Sequence, residues 1–107
     1  MATLDLVASA VADPTRRNIL AMVRENERSV TDIAANFPMP RPAVSQHLRQ
    51  LLDAELVTVR SHGTKNLYSA RPEGLAGLRG WLDDFWNPAL DRLAAAAEAE
   101  HRGREAQ

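Results

Sequence analysis

The sequence predicts a mainly α-helical fold that carries one small β-hairpin. Apolar residues recur at the spacing of an amphipathic helix in several segments of the chain. Two of these segments are separated by Pro38-Met39-Pro40, and proline ends a helix because it lacks a backbone donor. After the fourth helical segment, residues 57–60 alternate and are rich in β-branched side chains, which is typical of a strand. Together these observations predict four helices, a hairpin and further helix toward the C-terminus.

Length and composition restrict the class of protein. The chain has 107 residues, which fits one compact domain and is small enough for pairing with a second copy to add stability. It has no cysteine, and therefore neither a disulfide nor a thiolate metal site. No apolar run approaches the ~20 residues that cross a bilayer, and the first residues lack the positive charge of a signal peptide. We therefore expect a cytoplasmic protein with a single domain over residues 1–100 and a flexible tail over residues 101–107.

The first three helices are predicted from their periodicity and from their start signals. Asp13 and Pro14 open the second helix, because aspartate accepts hydrogen bonds from the first turn and proline fits the first helical position. Either Ser29 or Thr31 could cap the third helix. The three helices cover about residues 3–11, 14–25 and 31–37.

The remaining elements follow from changes in the apolar pattern. Val44 and Leu48 begin an apolar stripe on a fourth helix, predicted over about residues 41–54. The hairpin covers about residues 57–70, with a glycine in its turn. Further helix is predicted over about residues 72–100, within which Pro88 either kinks one helix or separates two.

Charge is unevenly distributed along the chain, although the net charge is only −1. Residues 1–39 carry four cations and five acids, a balance of −1. Residues 40–71 carry five cations and two acids, a balance of +3, and residues 72–107 carry four cations and seven acids, a balance of −3. The basic middle segment is consistent with a local surface for nucleic acid. Ordinary variation in solvated charge is the alternative explanation.

The order of the elements indicates a function. A short helix, a tight break and a second helix form the helix-turn-helix arrangement, whose second helix enters the major groove of DNA. The hairpin that follows, here called the wing, can reach along the DNA backbone. The middle of the chain therefore predicts a helix-turn-helix with a wing.

Five segments carry a more specific pattern: residues 12–20 (ADPTRRNIL), residues 30–34 (VTDIA), residues 41–51 (RPAVSQHLRQL), residues 55–57 (ELV) and the wing through Gly63 and Tyr68. In this order, the chain resembles a winged-helix repressor of the ArsR/SmtB family, and among these the cysteine-free members without a metal site. The resemblance implies a winged helix-turn-helix fold, double-stranded DNA as a partner and a homodimer that represses an operon.

The residues expected at DNA lie on the open side of the fourth helix and on the wing. Arg41 and Gln46 are the expected base contacts, since arginine pairs with guanine and glutamine with adenine through two hydrogen bonds. His47 lies between the apolar stripe and the open side; the family pattern implies a role near DNA, and a hydrogen bond within the domain is the alternative. The complete set is Arg41, Pro42, Ser45, Gln46, His47, Arg49, Arg60, His62, Lys65 and Asn66.

Some of these assignments are less direct. The four wing residues would lie on phosphates, and plain solvent exposure is the alternative for each. Arg16 and Arg17 are expected to be surface groups or partners of acids first, and phosphate contacts only second. The family commonly has a serine or threonine at the cap of the recognition helix, where this chain has Pro40, and Arg41 stands where a glutamine is frequent. The operator sequence of relatives therefore does not carry over.

The dimer interface is expected to use the first helix and the C-terminal helical region. Both present apolar stripes, and the aromatic cluster near residue 85 fits either an interface or a protein core better than a ligand pocket. The expected interface residues are Leu4, Val7, Val11, Leu78, Trp81, Leu82, Phe85, Trp86, Leu90 and Leu93.

No metal, cofactor or catalytic site is predicted. The third helix has no thiol, and His101 is the only imidazole in the C-terminal region. Asp83 and Asp84 are adjacent, so on a helix they point about 100° apart and cannot share a proton. Two alternatives to the repressor hypothesis remain: a winged-helix module that binds proteins, and a repressor that responds to an organic ligand in a pocket near the C-terminal aromatic residues.

Overall fold

The chain forms two compact units, one that ends at Ala76 and one that begins at Gly77. The computed structural model describes residues 2–105, apart from the side chains of residues 89, 90 and 105. The side chain of Leu90, a predicted interface residue, therefore lies outside the described part of the chain.

The first unit contains four helices whose start signals act as predicted. Asp13 caps the second helix: its carboxylate accepts a hydrogen bond from the N–H of Arg16 at 3.1 Å, and Pro14 is the first helical residue. Thr3 caps the first helix through the N–H of Leu6 at 3.2 Å. The helices are α1 (Leu4–Ala12), α2 (Pro14–Glu25), α3 (Val30–Ala34) and α4 (Arg41–Asp53).

The helix α3 is shorter than the sequence predicted. Ser29 rather than Thr31 is its cap, since the Ser29 hydroxyl accepts a hydrogen bond from the N–H of Asp32 at 3.2 Å. Beyond α3, the N–H groups of Asn36 and Phe37 bond to carbonyls three residues back, which winds the chain more tightly than an α-helix. This tight turn replaces the last predicted helical turn before the proline break.

The predicted hairpin is confirmed, and a third strand joins it. The strands β2 (Val57–His62) and β3 (Lys65–Ala70) are antiparallel, with Gly63 at φ 63° in the turn between them. Glycine adopts this left-handed conformation without steric cost. The strand β1 (Arg28–Ser29) pairs with β3, so that the sheet order is β1-β3-β2. The sequence did not indicate β1, because a two-residue strand is too short to show periodicity.

The chain reverses sharply where α4 ends. Glu55 has φ 57°, the left-handed conformation that commonly closes a helix. The N–H groups of Glu55 and Leu56 bond to the carbonyls of Leu52 and Leu51 at 2.9 and 3.0 Å, which satisfies the last turn. The Glu55 carboxylate also accepts a hydrogen bond from the N–H of Ala2 at 2.8 Å. This reversal sends the chain directly from α4 into the wing.

The core of the first unit joins all four helices to the start of the wing. Val7 and Ala10 of α1 are buried, and Val57 at the first position of β2 is 3% exposed. The apolar stripe predicted on the fourth helix provides three of the most deeply buried side chains. The largest fully buried side chains are Ile19, Ile33, Val44, Leu48, Leu51 and Leu56.

The C-terminal region forms one helix, which is one of the two alternatives that the sequence left open at Pro88. After a 3-10 turn (Pro72–Leu75), α5 covers Ala76–Glu105, and Pro88 lies inside this helix without ending it. The helix also continues past residue 101, where a flexible tail was predicted. Arg104 donates to the Glu100 carboxylate at 2.9 Å one turn away, and such pairs favour helix. Among the described residues, no helix is long and apolar enough to span a bilayer.

Asp13 is expected to make stability sensitive to acid. A hydrogen bond from the backbone of Arg16 holds the pKa of the Asp13 carboxyl below its ordinary value. The unfolded chain then binds this proton more readily, so the stabilisation is present at neutral pH and lost as pH falls through the folded-state pKa. Asp13→Asn keeps a capping oxygen and removes the ionisation. Denaturant titrations between about pH 5 and pH 3 should show a flatter loss of stability in the variant. Equal slopes would contradict this assignment.

Candidate nucleic-acid interface

The helix α4 has one buried side and one open side, as predicted. Leu48 is 1% exposed and Val44 and Leu51 are fully buried, so the apolar stripe fixes the helix against the core. A helix held on one side and free on the other can enter a major groove, which is about 12 Å wide. The predicted DNA contacts on the exposed side are Arg41, Pro42, Ser45, Gln46 and Arg49.

The N-terminus of α4 has no side-chain cap. Pro40 stands at the cap position, and its carbonyl accepts hydrogen bonds from the N–H groups of Ala43 and Val44 at 3.0 and 3.3 Å. Proline has no side-chain oxygen, so no oxygen from the cap residue's side chain offsets the positive end of the helix dipole. Arg41 is the first residue of α4 and adds a guanidinium at the same end. This helix end is therefore suited to an anion such as a phosphate.

A cleft of about 220 Å³ joins the start of α4 to the wing. Arg41 lines it from α4, Lys65 and Asn66 line it from β3, and Thr31 lines it from α3. Two consecutive helices and a strand of the wing thus bring two cations and several hydrogen-bonding groups to one surface. The sequence indicated Arg41 and Lys65 separately, but it did not indicate Thr31 and Thr64 as part of this surface. Thr31 matches the pattern of a helix cap and Thr64 that of a turn, and neither pattern points to DNA.

Arg60 of the wing is paired inside the protein. Its Nε donates to Glu27 Oε2 at 2.8 Å, and a second guanidinium nitrogen donates to Oε1 of the same carboxylate. The Arg60 guanidinium holds the pKa of Glu27 below its ordinary value, and the carboxylate raises the pKa of Arg60. Because Glu27 offsets its charge, Arg60 is a weaker candidate for a phosphate contact than the sequence alone indicated. His62, Lys65 and Asn66 are exposed on the wing.

Two other polar contacts orient side chains near this surface. Arg49 lies 3.6 Å from the Asp53 carboxylate, with side chains 78% and 60% exposed, so the pair contributes little to stability. The Arg49 guanidinium can therefore exchange this carboxylate for a phosphate at small cost. On the wing, the Ser61 hydroxyl lies within hydrogen-bond distance of the Asn66 amide oxygen, at 3.4 Å.

Arg16 is a buried structural residue rather than a surface group. It is 8% exposed, and its Nε and Nη2 atoms donate to the carbonyls of Ala10 and Ser9 at 2.8 and 2.9 Å. The Asp13 carboxylate is 3.9 Å away. The sequence predicted that Arg16 is a surface group or a partner of acids. The structure instead gives it the last carbonyls of α1 as its nearest partners, because those carbonyls lack helical partners.

His47 connects this buried arginine to α4. Its Nδ1 lies 3.3 Å from the Nη1 of Arg16, and the side chain is half-buried. A guanidinium has donors and no acceptor, so Nδ1 must accept this hydrogen bond. The neutral ring then carries its proton on Nε2, the other ring nitrogen. His47 thus makes the hydrogen bond within the domain that was one of its two expected roles. Its Nε2 is left as a donor.

The predicted interface residues of α1 divide into two groups. Leu4 is 37% exposed, and Leu6, which the sequence analysis missed, is 47% exposed. Val7 is only 4% exposed and Val11 is half-buried. The assignment of Val7 to the interface is therefore corrected: it belongs to the core, because α1 packs this side against its own unit.

In the second unit, α5 exposes large apolar side chains. Trp81 and Phe85 stack with ring centroids 5.8 Å apart and planes 14° from parallel, yet they are 51% and 74% exposed. Leu78 is half-buried. The further predicted interface residues Leu82, Trp86 and Leu93 are also exposed. Exposed stacked rings form a surface rather than the lining of a pocket, and apolar surface of this kind typically binds another chain.

Among the side chains that the structure describes, no group of three or more histidine and acidic residues is placed to hold a metal ion.

Sequence and fold comparisons agree on one family. Residues 13–59 match the family model described as "Bacterial regulatory protein, arsR family". An HTH-type transcriptional regulator of Mycobacterium tuberculosis is 43% identical over 96 residues, which cover 90% of this chain and 90% of that protein. The arsenical resistance operon repressor of Staphylococcus xylosus is 32% identical over 88 residues, which cover 82% of this chain and 77% of that protein. A homodimeric winged helix-turn-helix DNA-binding domain from Mycobacterium bovis, solved by NMR, has a TM-score of 0.63 at 28% identity and 78% coverage of each chain.

Proposed function

Since this chain belongs to the arsR family of bacterial regulatory proteins, we propose that it represses transcription by binding a near-palindromic operator as a homodimer. Family membership makes it a DNA-binding transcriptional regulator and not an enzyme. Repression is supported by the name of the Staphylococcus relative, and homodimer formation by the description of the Mycobacterium bovis domain. Because the function requires access to chromosomal DNA, we propose a cytoplasmic location.

The convergence of α4 and the wing on one cleft is the observation that carries this proposal. Arg41 begins the exposed side of α4, and Lys65 and Asn66 face the same cleft from the wing. A helix in the major groove and a wing on the backbone must present their cations on one surface. The first unit meets that requirement.

Each side chain has a proposed role that follows from its position. Arg41 and Gln46 contact base edges, because they lie on the first two exposed turns of α4. Pro42 packs against the groove, and Ser45 and Arg49 contact phosphates beside it. His62, Lys65 and Asn66 hold the wing on the backbone, and Arg60 contributes less because Glu27 offsets its charge. His47 donates from Nε2, since Arg16 occupies its other ring nitrogen.

The exposed apolar residues of α1 and α5 are proposed to form the dimer interface. Leu4 of α1 and Trp81, Phe85 and Trp86 of α5 expose between 37% and 74% of their surfaces in the single chain. A dimer that covers these side chains removes apolar surface from water and gives a twofold axis between two copies of α4. The two copies then fit half-sites about one DNA turn apart, ~34 Å.

The function is tested by selecting bound sequences from random DNA with the full chain. We expect an enriched near-palindrome that binds two chains, measured by analytical ultracentrifugation. Its affinity should fall steeply with salt, as phosphate contacts release counterions. A protein-interaction module would instead enrich no sequence and retain no DNA at moderate salt. That outcome, or specific binding by one chain alone, would overturn the proposal.

The two cations of the wing, Lys65 and Arg60, are expected to contribute unequally to DNA affinity. Lys65→Gln should weaken binding to all DNA sequences alike and lower the slope of log affinity against log salt by about 1. Arg60→Gln should have a smaller effect, because Glu27 already offsets that charge. Glu27→Gln frees Arg60 and should raise DNA affinity. Fluorescence anisotropy at several salt concentrations measures all three variants. If Glu27→Gln instead weakened binding, the ion pair would be needed to shape the wing.

A further inference from the structure

A second cavity lies in the first unit, apart from the cleft at α4. It has a volume of about 370 Å³, within the usual range for small-molecule sites of roughly 300–1,000 Å³. Leu56 forms its floor and is 1% exposed, while Leu20 and Leu75 form two of its walls. The residues that line it include none from the exposed side of α4 or from the turn of the wing.

Three arginines surround this apolar floor. Arg17 and Arg24 lie on α2 at the two ends of a stripe that contains Leu20 and Ala21 between them. Their spacing of seven residues places them about 10 Å apart along the helix. Arg71 lines the cavity from the segment that follows β3. The lining residues include no aspartate or glutamate, so the cavity is apolar inside and positively charged around its edge.

The arginines keep donors available for a ligand. The Nη1 of Arg17 donates to the carbonyls of Val11 and Ala12 at 2.8 and 3.1 Å, which fixes the side chain. Its Nε and Nη2 atoms donate to no other described residue. Within the described residues, Arg24 forms no ion pair with a carboxylate. Among these residues, no carboxylate pairs with its charge.

Arg71 contributes less charge than the other two. Its Nη1 donates to the main-chain carbonyl of Glu55 at 3.2 Å. The hydrogen bond from the Ala2 N–H chiefly holds the pKa of the Glu55 carboxyl below its ordinary value, and the Arg71 charge lowers that pKa further. Since Glu55 partly offsets Arg71, the excess positive charge lies on the α2 side of the cavity. An anionic group is therefore expected between Arg17 and Arg24.

We propose that this cavity binds an organic anion that has a carboxylate head and an apolar body. The carboxylate contacts Arg17 and Arg24, and the apolar body lies over Leu20, Leu56 and Leu75. A DNA phosphate does not fit this description, because it brings no apolar body to cover the leucines. Arginine forms strong, charge-assisted hydrogen bonds with carboxylates, and the apolar area adds the hydrophobic contribution.

The cavity is placed to influence the wing. Leu56 directly precedes β2 and Ala70 ends β3, so a bound molecule touches both ends of the wing. The N–H of Arg71 bonds to the Leu56 carbonyl at 2.7 Å across this base. A ligand that binds one wing position better than another changes the free energy of DNA binding by at most that difference in ligand-binding free energy. This regulatory step rests on the proposed DNA-binding function, whereas ligand binding itself does not.

Ligand binding is tested on the full chain with three probes that share one apolar body: octanoate, octanol and octylammonium. Isothermal titration calorimetry should give octanoate an affinity at least roughly tenfold higher than octanol, because only octanoate makes charge-assisted hydrogen bonds. Octylammonium should not bind. Equal affinity for octanoate and octanol would overturn the anion site and leave only an apolar groove. If neither octanoate nor octanol binds, and if Leu20 and Leu75 are covered in the dimer, the groove is a contact surface for a second copy of the chain and not a ligand site.

A matched pair of variants locates the site. Ala21 is exposed between Arg17 and Arg24, so Ala21→Glu places a carboxylate where the ligand head is expected. Ala21→Gln introduces a side chain of the same size as glutamate but without its charge. We expect Ala21→Glu to abolish octanoate binding and Ala21→Gln to retain most of it. Equal loss in both variants, or no loss in either, would overturn the proposed position.

The remaining variant separates this inference from the proposed function. Arg24→Gln should weaken octanoate binding roughly tenfold or more and leave DNA binding without octanoate unchanged. Arg79→Gln on α5, another exposed arginine, is the control and should change neither. If wild-type protein binds its operator but not octanoate, only the ligand site is wrong. If it binds octanoate but no DNA, only the proposed function is wrong.

Discussion

Replacing Arg41 and Gln46 together with alanine is expected to abolish discrimination between the operator and unrelated DNA. Both side chains lie on the exposed side of α4, so the double variant should fold normally. Each paired hydrogen bond to a base edge contributes about 1–3 kcal/mol of discrimination, so the two together should lower it at least roughly 30-fold for each chain bound. Competition gel shifts with operator and scrambled DNA measure this ratio directly.

A control on the same helix gives this experiment its contrast. Gln50 is also exposed on α4 but lies one turn further from the N-terminus than Gln46. Because base contacts concentrate on the first turns of a recognition helix, Gln50→Ala should keep most of the discrimination. A double variant at Arg41 and Gln46 that still selects the operator would show that another surface reads the bases.

Gly74→Ala is expected to destabilise the first unit by about 3 kcal/mol. A Cβ at Gly74 would lie 2.2 Å from the carbonyl oxygen of Glu55 and 3.1 Å from a methyl of Leu56. The backbone cannot easily yield there, because Glu55 is held at φ 57° and its carbonyl accepts a hydrogen bond from Arg71. Thermal unfolding should show a midpoint lower by roughly 10–20 °C.

Gly80→Ala is the matched substitution with the opposite expected sign. An added Cβ at Gly80 meets nothing within 4 Å, and the residue lies inside α5. Alanine favours helix over glycine by up to about 1 kcal/mol, so this variant should be slightly more stable. If Gly74→Ala and Gly80→Ala had the same effect, close packing at Gly74 would not be the reason for its glycine.

The recognition helix and the wing could be predicted from sequence because each has a clear local signal. The apolar stripe of Val44 and Leu48 fixed which side of α4 is buried, and Gly63 marked the turn of the wing. The start of α2 at Asp13 was equally clear, since cap and proline occur together. In these elements, the local pattern and the tertiary packing favour the same structure.

Other features depend on contacts between distant segments, which a single sequence does not display. The strand β1 exists because Arg28 and Ser29 pair with β3, about 40 residues further along the chain. The pairing of Glu27 with Arg60 and the burial of Arg16 arise in the same way. Val7 matches an interface pattern and a core pattern equally well, and only packing decides between them. The family resemblance predicted the class of function, but it could not reveal these charge pairings.

The missing cap of α4 has a consequence for how the protein changes on binding. Pro40 leaves the first turn without a side-chain oxygen, and Arg41 keeps that end positive. Ala43 and Val44 already donate to the Pro40 carbonyl, and Pro42 has no N–H, so a nucleic-acid backbone laid across this end would accept from the Arg41 N–H. The Arg41 amide proton should then exchange faster in the free protein than in the complex. The operator would then differ from other DNA partly in how well its backbone places a hydrogen-bond acceptor at the first turn of α4.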